Sequence, residues 1–368
     1  MKKQKVYFYC VSPESPSNAA YHHLAICLAE GFKELGIEFY ANINYWRIHV
    51  EKEEYLFNHD PNVTPDDCSI VIVSLAWFLR GQPFPQHLFH PQRQYCTVYL
   101  DREDGGKTYA WQSEFRQFDL ILKTHYCQQH WYPANFQPWT FGLSQRIVNE
   151  LKLVSNFRDR HHKLLVNFRN KRTTHTVRKK IYRDFLPAIA PILPLDEAGE
   201  ALNTPPTNSL EYLWWYQTGK RHYQSYYQRL QSTAACAGFG GYFVSAFPQN
   251  KGNYFSWLQK RLLGDYFGLQ LPQIIQWDSW RFWESMAAGC ATFHVDFEQY
   301  GFVPPVMPQN WQHYIGVDLN NIKATIERIK AQPDILEKVA DSGRKWVLEN
   351  YSPVPTAKRF LSVIDNST

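Results

Sequence analysis

A strand, a polar loop, a helix and a second strand open this chain, and the same order begins again near residue 163. That order constrains the fold more than any other feature. Lys5 to Val11 reads as a strand and Ser12 to Asn18 as a loop. Ala19 to Leu35 then places Leu24, Cys27, Leu28, Phe32 and Leu35 at helical spacing, with Gly36 suited to the C-cap. Ile37 to Ile43 is the next strand. A helix joining two successive strands makes them parallel, so an α/β layered fold is expected.

Further strand-like runs follow at Ser69 to Leu75, Gln94 to Leu100 and Phe118 to Lys123, with Ala134 to Leu143 as a last strand and turn. They predict a doubly wound first unit, residues 1–157. The second unit, 158–352, opens with the strand Leu164 to Phe168 and a polar loop, Arg169 to Thr176. A helix marked by Val177, Ile181 and Phe185 follows. The loop Gly199 to Leu210 precedes Glu211 to Thr233, which reads as one helix rich in tyrosine. Its rings, with Trp214 and Trp215, suit a core and also stacking on sugars or bases. Short strands are expected at Tyr242 to Ala246 and Tyr266 to Leu271, and closing helices at Ile322 to Ile329 and Asp334 to Asn350.

Charge and cysteine usage bound the partners. The net charge of +5 is mild, short of the footprint of a nucleic-acid binder. It suits an enzyme of anionic substrates, or peripheral contact with the anionic inner face of a membrane. The 7 cysteines are scattered with no CxxC pair, as in reduced core thiols of a cytoplasmic protein. The apolar part of the start is about six residues, short of the ~7–15 of a signal core. No run approaches the ~20 apolar residues of a membrane span.

The stretch WDSWRFWESMAAGCATFHV, Trp277 to Val295, sets Arg281 and Glu284 among three tryptophans. Asp278 or Ser279 can cap a helix running to about Ala288, Gly289 can end it, and Cys290 to Val295 reads as a strand. Arg281, Glu284 and Ala288 share one face of it. Two readings apply to that face. One is an ion pair on a half-exposed helix. The other is a carboxylate that accepts hydrogen bonds from a ribose diol, beside small residues that let a ligand approach.

Here the sequence resembles the C-terminal donor domain of GT-B glycosyltransferases. RFWESMAAGCATFHV is similar to that family's pattern of a glutamate before a small-residue turn, through Arg281, Glu284, Ala288 and Gly289. The arginine three residues before the glutamate resembles exostosin- and fucosyltransferase-type members. The tail is similar to the family's closing segment through Ala340, Gly343, Arg344, Val347, Tyr351 and Ser352. The resemblance implies two facing Rossmann-like domains with a cleft between them. It also implies a last helix, within 353–368, that crosses back to the first domain. It implies a glycosyltransferase of polysaccharide biosynthesis that moves a sugar from a nucleotide-sugar donor to a hydroxyl of a glycan or lipid-linked acceptor. Glu284 would hold the ribose, and Arg281 would orient it or touch phosphate. Asp278 and Gln276 would lie beside the donor. Gln276 stands where many retaining members carry a second glutamate, eight positions earlier.

A departing diphosphate without a metal needs cations and a helix N-terminus. The segment VNFRNKRTTHTVRKKIYRDF supplies Arg169, Lys171 and Arg172 in a loop after a strand and Arg178 on the following helix. Lys260 is a further candidate. No cofactor or metal is expected on this reading. In the first unit, YLDREDGG puts Asp101, Glu103 and Asp104 at a strand end. Asp101 or Asp104 could serve as general base for the acceptor, and so could His22. Two alternatives are kept. Asp101 and Glu103 could bind a divalent cation as in GT-A glycosyltransferases. Or the chain could be a catalytically degenerate glycan-binding protein, since fold does not fix function.

Overall fold

The structure is a computed structural model that describes residues 4–12, 20–104, 109–152, 155–168, 175–197, 204–245, 258–259, 262–263 and 270–367. Two parallel sheets organise it. The first contains β1 (Lys5–Tyr9), β2 (Glu38–Ala41), β5 (Ile70–Ser74), β6 (Cys96–Asp101), β7 (Leu120–Lys123) and β8 (Phe136–Pro138), in the order β2-β1-β5-β6-β7-β8. Between β2 and β5 lies a small antiparallel hairpin, β3 (Tyr45–Arg47) with β4 (Tyr55–Phe57). The second sheet contains β9 (His161–Val166), β10 (Leu195–Glu197), β11 (Thr233–Ala237), β14 (Ala291–Val295) and β15 (Ile315–Val317), in the order β10-β9-β11-β14-β15. Two further strands, β12 (Tyr242–Ser245) and β13 (Gln270–Ile275), pair antiparallel beside it.

The residue types explain the arrangement. Every residue of β5, β6, β7, β11 and β14 is buried, as strands covered on both faces by helices must be. The helix His23–Glu34 covers the first sheet through Leu24, Leu28 and Phe32. One apolar cluster runs from Val6 to Ile364 through both units, and a second lies on the other face of the first sheet, around Tyr99, Phe115 and Phe118. In each sheet the strand order reverses at one place, β1/β5 and β9/β11. Crevices at such reversals, outside the carboxyl ends of strands, are where open α/β sheets bind ligands.

The sequence reading differs from the structure in several elements, among them the strands Leu195–Glu197 and Ile315–Val317 and the helix Gln145–Glu150, which it did not contain. Glu211 to Thr233 is not one helix. It divides into Ser209–Gln217 and Gln224–Ser232, and Thr233 begins β11. The break falls where Gly219 and Lys220 take φ of 70° and 63°, which an α-helix cannot contain. The hairpin β3–β4 was not expected, because three-residue strands carry too little alternation to be read. The strand expected at Tyr266 to Leu271 falls mostly outside the described residues, and the strand described there is β13.

The last helix, Pro353–Ser367, lies against His23–Glu34 of the first unit. The two backbones meet at Gly31, where an added Cβ would come 2.2 Å from the Pro353 carbonyl oxygen. Phe32 and Phe360 pack beside that crossing with ring centroids 5.6 Å apart. All seven cysteines are buried and free. No helix among the described residues is long and apolar enough to cross a membrane.

Candidate functional site

The helix Trp280–Ala287 stands between the two sheets, and its aromatic residues fix it there. Phe282, Trp283 and Met286 are buried. Trp283 packs on Tyr351 at 4.4 Å, and Phe282 on Phe297 at 5.0 Å and Tyr314 at 5.7 Å. Gly289, with φ of 72°, ends the helix in the left-handed conformation that a β-carbon disfavours.

Glu284 on this helix is only 3% exposed. Its two carboxylate oxygens accept hydrogen bonds from separate tyrosines, Tyr226 Oη at 3.0 Å and Tyr227 Oη at 3.3 Å. Arg146, from the helix Gln145–Glu150 that follows the first sheet, donates to the same Tyr227 hydroxyl at 2.8 Å. Burial raises the Glu284 pKa. The charge of Arg146, the Tyr226 hydrogen bond, the charge of Arg281 and the Tyr227 hydrogen bond pull it back. Arg281 acts on Glu284 through its field and makes no ion pair with it among the described contacts.

Asp278 is a strap between the units. Its carboxylate accepts the Phe141 backbone N–H at 2.9 Å and the Trp283 indole N–H at 2.6 Å. Its own backbone N–H donates to His125 Nδ1 at 3.0 Å. Burial raises the Asp278 pKa to about 6 against the pull of His125, the Trp283 and Phe141 donors and Arg102. Since Nδ1 accepts, His125 carries its proton on Nε2, which stands 3.4 Å from Asp104 Oδ1. The Gln276 side chain hydrogen-bonds the same carboxylate. Burial works to raise the Asp104 pKa, but the neighbouring His125, Arg102 and the Gln276 hydrogen bond together hold it at about 2. His125 and Gln276 both take left-handed backbone conformations, φ of 58° in each, which costs energy for residues of their size. Two strained residues therefore converge on one carboxylate at the seam.

Beside Asp104 lies a group of cations. Arg102, one residue past β6, is 7% exposed, and its guanidinium rests 4.8 Å from the Phe141 ring, 5.0 Å from Tyr21 and 5.5 Å from Trp280. Its Nε and Nη1 are buried without a hydrogen-bond partner. Arg221, from the break between the tyrosine-bearing helices, exposes its stem but lays its guanidinium 5.0 Å from the Trp280 ring on the same side chain. Desolvation there, with repulsion from Arg102 and then Arg281, lowers its pKa to about 10 against the attraction of Tyr21 and Asp104. Two arginines from separate segments thus lie over Trp280, and Arg281 is near enough to act on Arg221 through its charge. Buried donors are almost always paired, so the orphaned guanidinium edge calls for an acceptor from outside the chain.

The other sequence candidates are placed as follows. Asp101 is fully buried, 2.9 Å from the Lys123 ammonium, and accepts the Glu103 backbone N–H at 2.9 Å. Glu103 in turn accepts the Tyr109 backbone N–H at 2.9 Å. These carboxylates are engaged by the protein's own donors, and no group of three metal-ligating side chains forms among the described residues. His22 is 1% exposed, with Nε2 2.9 Å from the Val11 carbonyl oxygen. Burial lowers its pKa to about 4 against that backbone contact, so it is a neutral packed imidazole beside Tyr45. Arg178 is buried, donates from Nε to the Phe239 carbonyl at 3.0 Å and lies over Phe168. Arg169, Lys171, Arg172 and Lys260 fall outside the described residues. Sequence reasoning missed Arg102, Arg221, His125 and Arg146. Only Arg102 left a signal, since it sits inside the acidic stretch YLDREDGG.

No family model matches the sequence. Protein O-glucosyltransferase 1 of Bos taurus is 32% identical over 74 residues, 20% of this chain and 19% of that protein, so the match spans about a fifth of the relative's length. Among solved structures, an α-glucosyltransferase in complex with UDP and a 13-mer DNA containing a central A:G mismatch is similar over 98% of this chain and 99% of its own. Its TM-score is 0.53 at 10% identity. A glycosyltransferase from Rickettsia africae ESF-5 is similar over 100% of this chain and 99% of its own, with a TM-score of 0.50 at 10% identity. These likenesses show the fold, which is the GT-B arrangement of two Rossmann-like units.

Proposed function

We propose that this chain transfers a sugar from a nucleoside diphosphate sugar to a hydroxyl of a glycan or lipid-linked acceptor. The observation that carries the reading is Arg102, a buried guanidinium with two unpartnered nitrogens, joined by Arg221 over Trp280, with Arg281 close enough to repel Arg221. A departing diphosphate gathers negative charge as the glycosidic bond breaks, and fixed guanidinium groups in a water-poor site stabilise it without reorganising. Guanidinium forks also match phosphate oxygens two at a time. In this reading the arginines replace a metal as the counter-charge. UDP in the α-glucosyltransferase named above, and the glucosyl group in the name of the bovine relative, support a nucleotide sugar as donor class.

Glu284 receives the ribose. The hydroxyls of Tyr226 and Tyr227 occupy its two oxygens, and the ribose diol takes their place when the donor binds. Asp104 is the general base for the acceptor hydroxyl. It is ionised at neutral pH, and His125 and Gln276 aim it. Neutralising Arg102 with diphosphate removes part of the field that depresses Asp104 and makes it a better base once the donor is bound. We place the activity on the cytoplasmic side, at the inner face of a membrane where the acceptor is lipid-linked.

The test is thermal melting with UDP, GDP and ADP, each against its nucleoside. At least one diphosphate is expected to raise the melting temperature where its nucleoside does not, and Arg221→Ala is expected to remove that rise. If no diphosphate stabilises the wild type, the proposal fails. Diphosphate binding without turnover of any nucleotide sugar, in hydrolysis or transfer, would identify a binding protein instead of an enzyme.

A further inference from the structure

A second cavity lies at the seam, away from the arginines. It has a volume of about 490 Å³ and is lined by Arg47 and Val50 of the β3–β4 hairpin segment and by Pro206, Thr207, Ser209, Tyr212, Leu213 and Tyr216 around the helix Ser209–Gln217. Its size falls within the ~300–1,000 Å³ of small-molecule sites. Both units build it, and they are locked together at its edge. Gln217 accepts the Arg47 backbone N–H at 2.8 Å and donates to the Arg47 carbonyl at 2.9 Å. Trp46 packs on Trp214 with centroids 5.8 Å apart, although its φ of 59° is a strained conformation for an indole-bearing residue.

We propose that this cavity binds the sugar rings of a glycan acceptor that lie beyond the residue being glycosylated. The inference rests on the glycosyltransferase reading and adds the acceptor class. The lining carries the argument. Tyr212 is 45% exposed and Tyr216 stands one turn away, with ring centroids 6.5 Å apart. Such rings offer apolar faces to the C–H faces of sugars and hydroxyls to their edges. Thr207 and Ser209 add hydroxyls. Arg47 spends Nε on the Lys52 carbonyl at 3.2 Å and keeps its terminal nitrogens for a ligand. A lipid tail would meet these polar groups unpaired, which is costly. The cavity also lies close to the proposed donor site. Trp46 and Gln217, beside Arg47 and Tyr216, line a narrow seam that ends at Arg146 and Trp280, the side chain around which the arginines gather. A chain of sugars held by the tyrosines would therefore lie beside the proposed diphosphate site.

The test uses the full chain on a printed array of oligosaccharides, with Tyr212→Ala, Tyr216→Ala, the double variant and Tyr212→Phe. UDP-induced melting shifts are measured on the same preparations. The wild type is expected to bind at least one glycan of two or more sugars. The double variant is expected to lose at least about tenfold of that binding, and Tyr212→Phe to keep most of it, while the UDP shift stays unchanged in all. Failure of the wild type to bind any glycan overturns the inference. So does equal binding by the double variant, or capture by this pocket of dodecyl phosphate in place of sugars. Glycan binding lost in the double variant with no UDP shift in any protein would leave this inference standing and defeat the donor reading alone.

Discussion

The carboxylate of Asp278, in the second unit, accepts the backbone N–H of Phe141 in the first at 2.9 Å. With His125 holding the Asp278 backbone, this bond joins the two sheets at the point where Asp104, Gln276 and the arginines meet. The units are thereby held in register where the chemistry needs it.

Asp278→Ala leaves the Phe141 N–H and the Trp283 indole N–H without acceptors in a buried place. Each buried unsatisfied donor costs about 1–3 kcal/mol, so a loss of about 2–6 kcal/mol is expected in urea unfolding. Asp278→Asn keeps one acceptor and is expected to fall between. A variant as stable as the wild type would show that the strap contributes nothing.

Arg102→Met should separate stability from function. The orphaned guanidinium is buried at a cost that an apolar side chain of similar length avoids, so the variant is expected to melt at or above the wild-type temperature without ligand. Its response to UDP should be lost. A sharp drop in melting temperature would mean that Arg102 has a structural partner.

His125→Asn keeps a residue type that tolerates left-handed backbone but withdraws the Nε2 proton from Asp104. UDP binding is expected to be unchanged and transfer to fall about tenfold or more. The acid limb of the rate profile should move to higher pH as the Asp104 pKa rises from about 2 toward the usual carboxylate range. Asp104→Asn should abolish transfer, since positioned acid–base groups contribute about 10²–10⁴ in rate. An unmoved acid limb in His125→Asn would assign His125 to packing alone.

Acid should destabilise the fold. Burial keeps four imidazoles neutral, lowering His22 and His294 to about 4 and His23 and His222 to about 3, with Arg102 and Arg146 adding at His23 and Arg146 at His222. The unfolded chain takes up these protons near pH 6.5 and the folded chain does not, so stability is lost as pH falls from about 6.5 toward 4, by up to about 1.4 kcal/mol per unit for each group. Asp278, raised to about 6, Glu30, raised by burial to about 7 against the Gln145 N–H and nearby cations, and Glu284 and Glu150, also raised by burial, act in the opposite sense and offset part of this loss. The melting temperature is expected to be lower at pH 5 than at pH 7. A melting temperature that rises on acidification would contradict the buried neutral histidines.

Much of the fold was legible because it is written in local periodicity. Buried parallel strands must be apolar along their whole length, as in Ile70–Ser74, and helices show one apolar stripe, as in His23–Glu34. The split of the tyrosine-rich helix was hidden, since Gly219 alone does not announce a left-handed pair at Gly219 and Lys220. The site divides in the same way. Glu284 and Asp104 stood out in sequence because each sits in a distinctive local pattern.

What the sequence determined by itself is the pair of doubly wound sheets and the aromatic helix at their junction, because those depend on neighbours within a few residues. Tertiary structure alone decided that Arg102 and Arg221 share one tryptophan, that Asp101 faces Lys123 and Asp104 faces His125, and that Glu284 is covered by two tyrosines. These contacts join segments up to 178 positions apart (Arg102 to Trp280), and charge at such separations acts only through the space that folding closes.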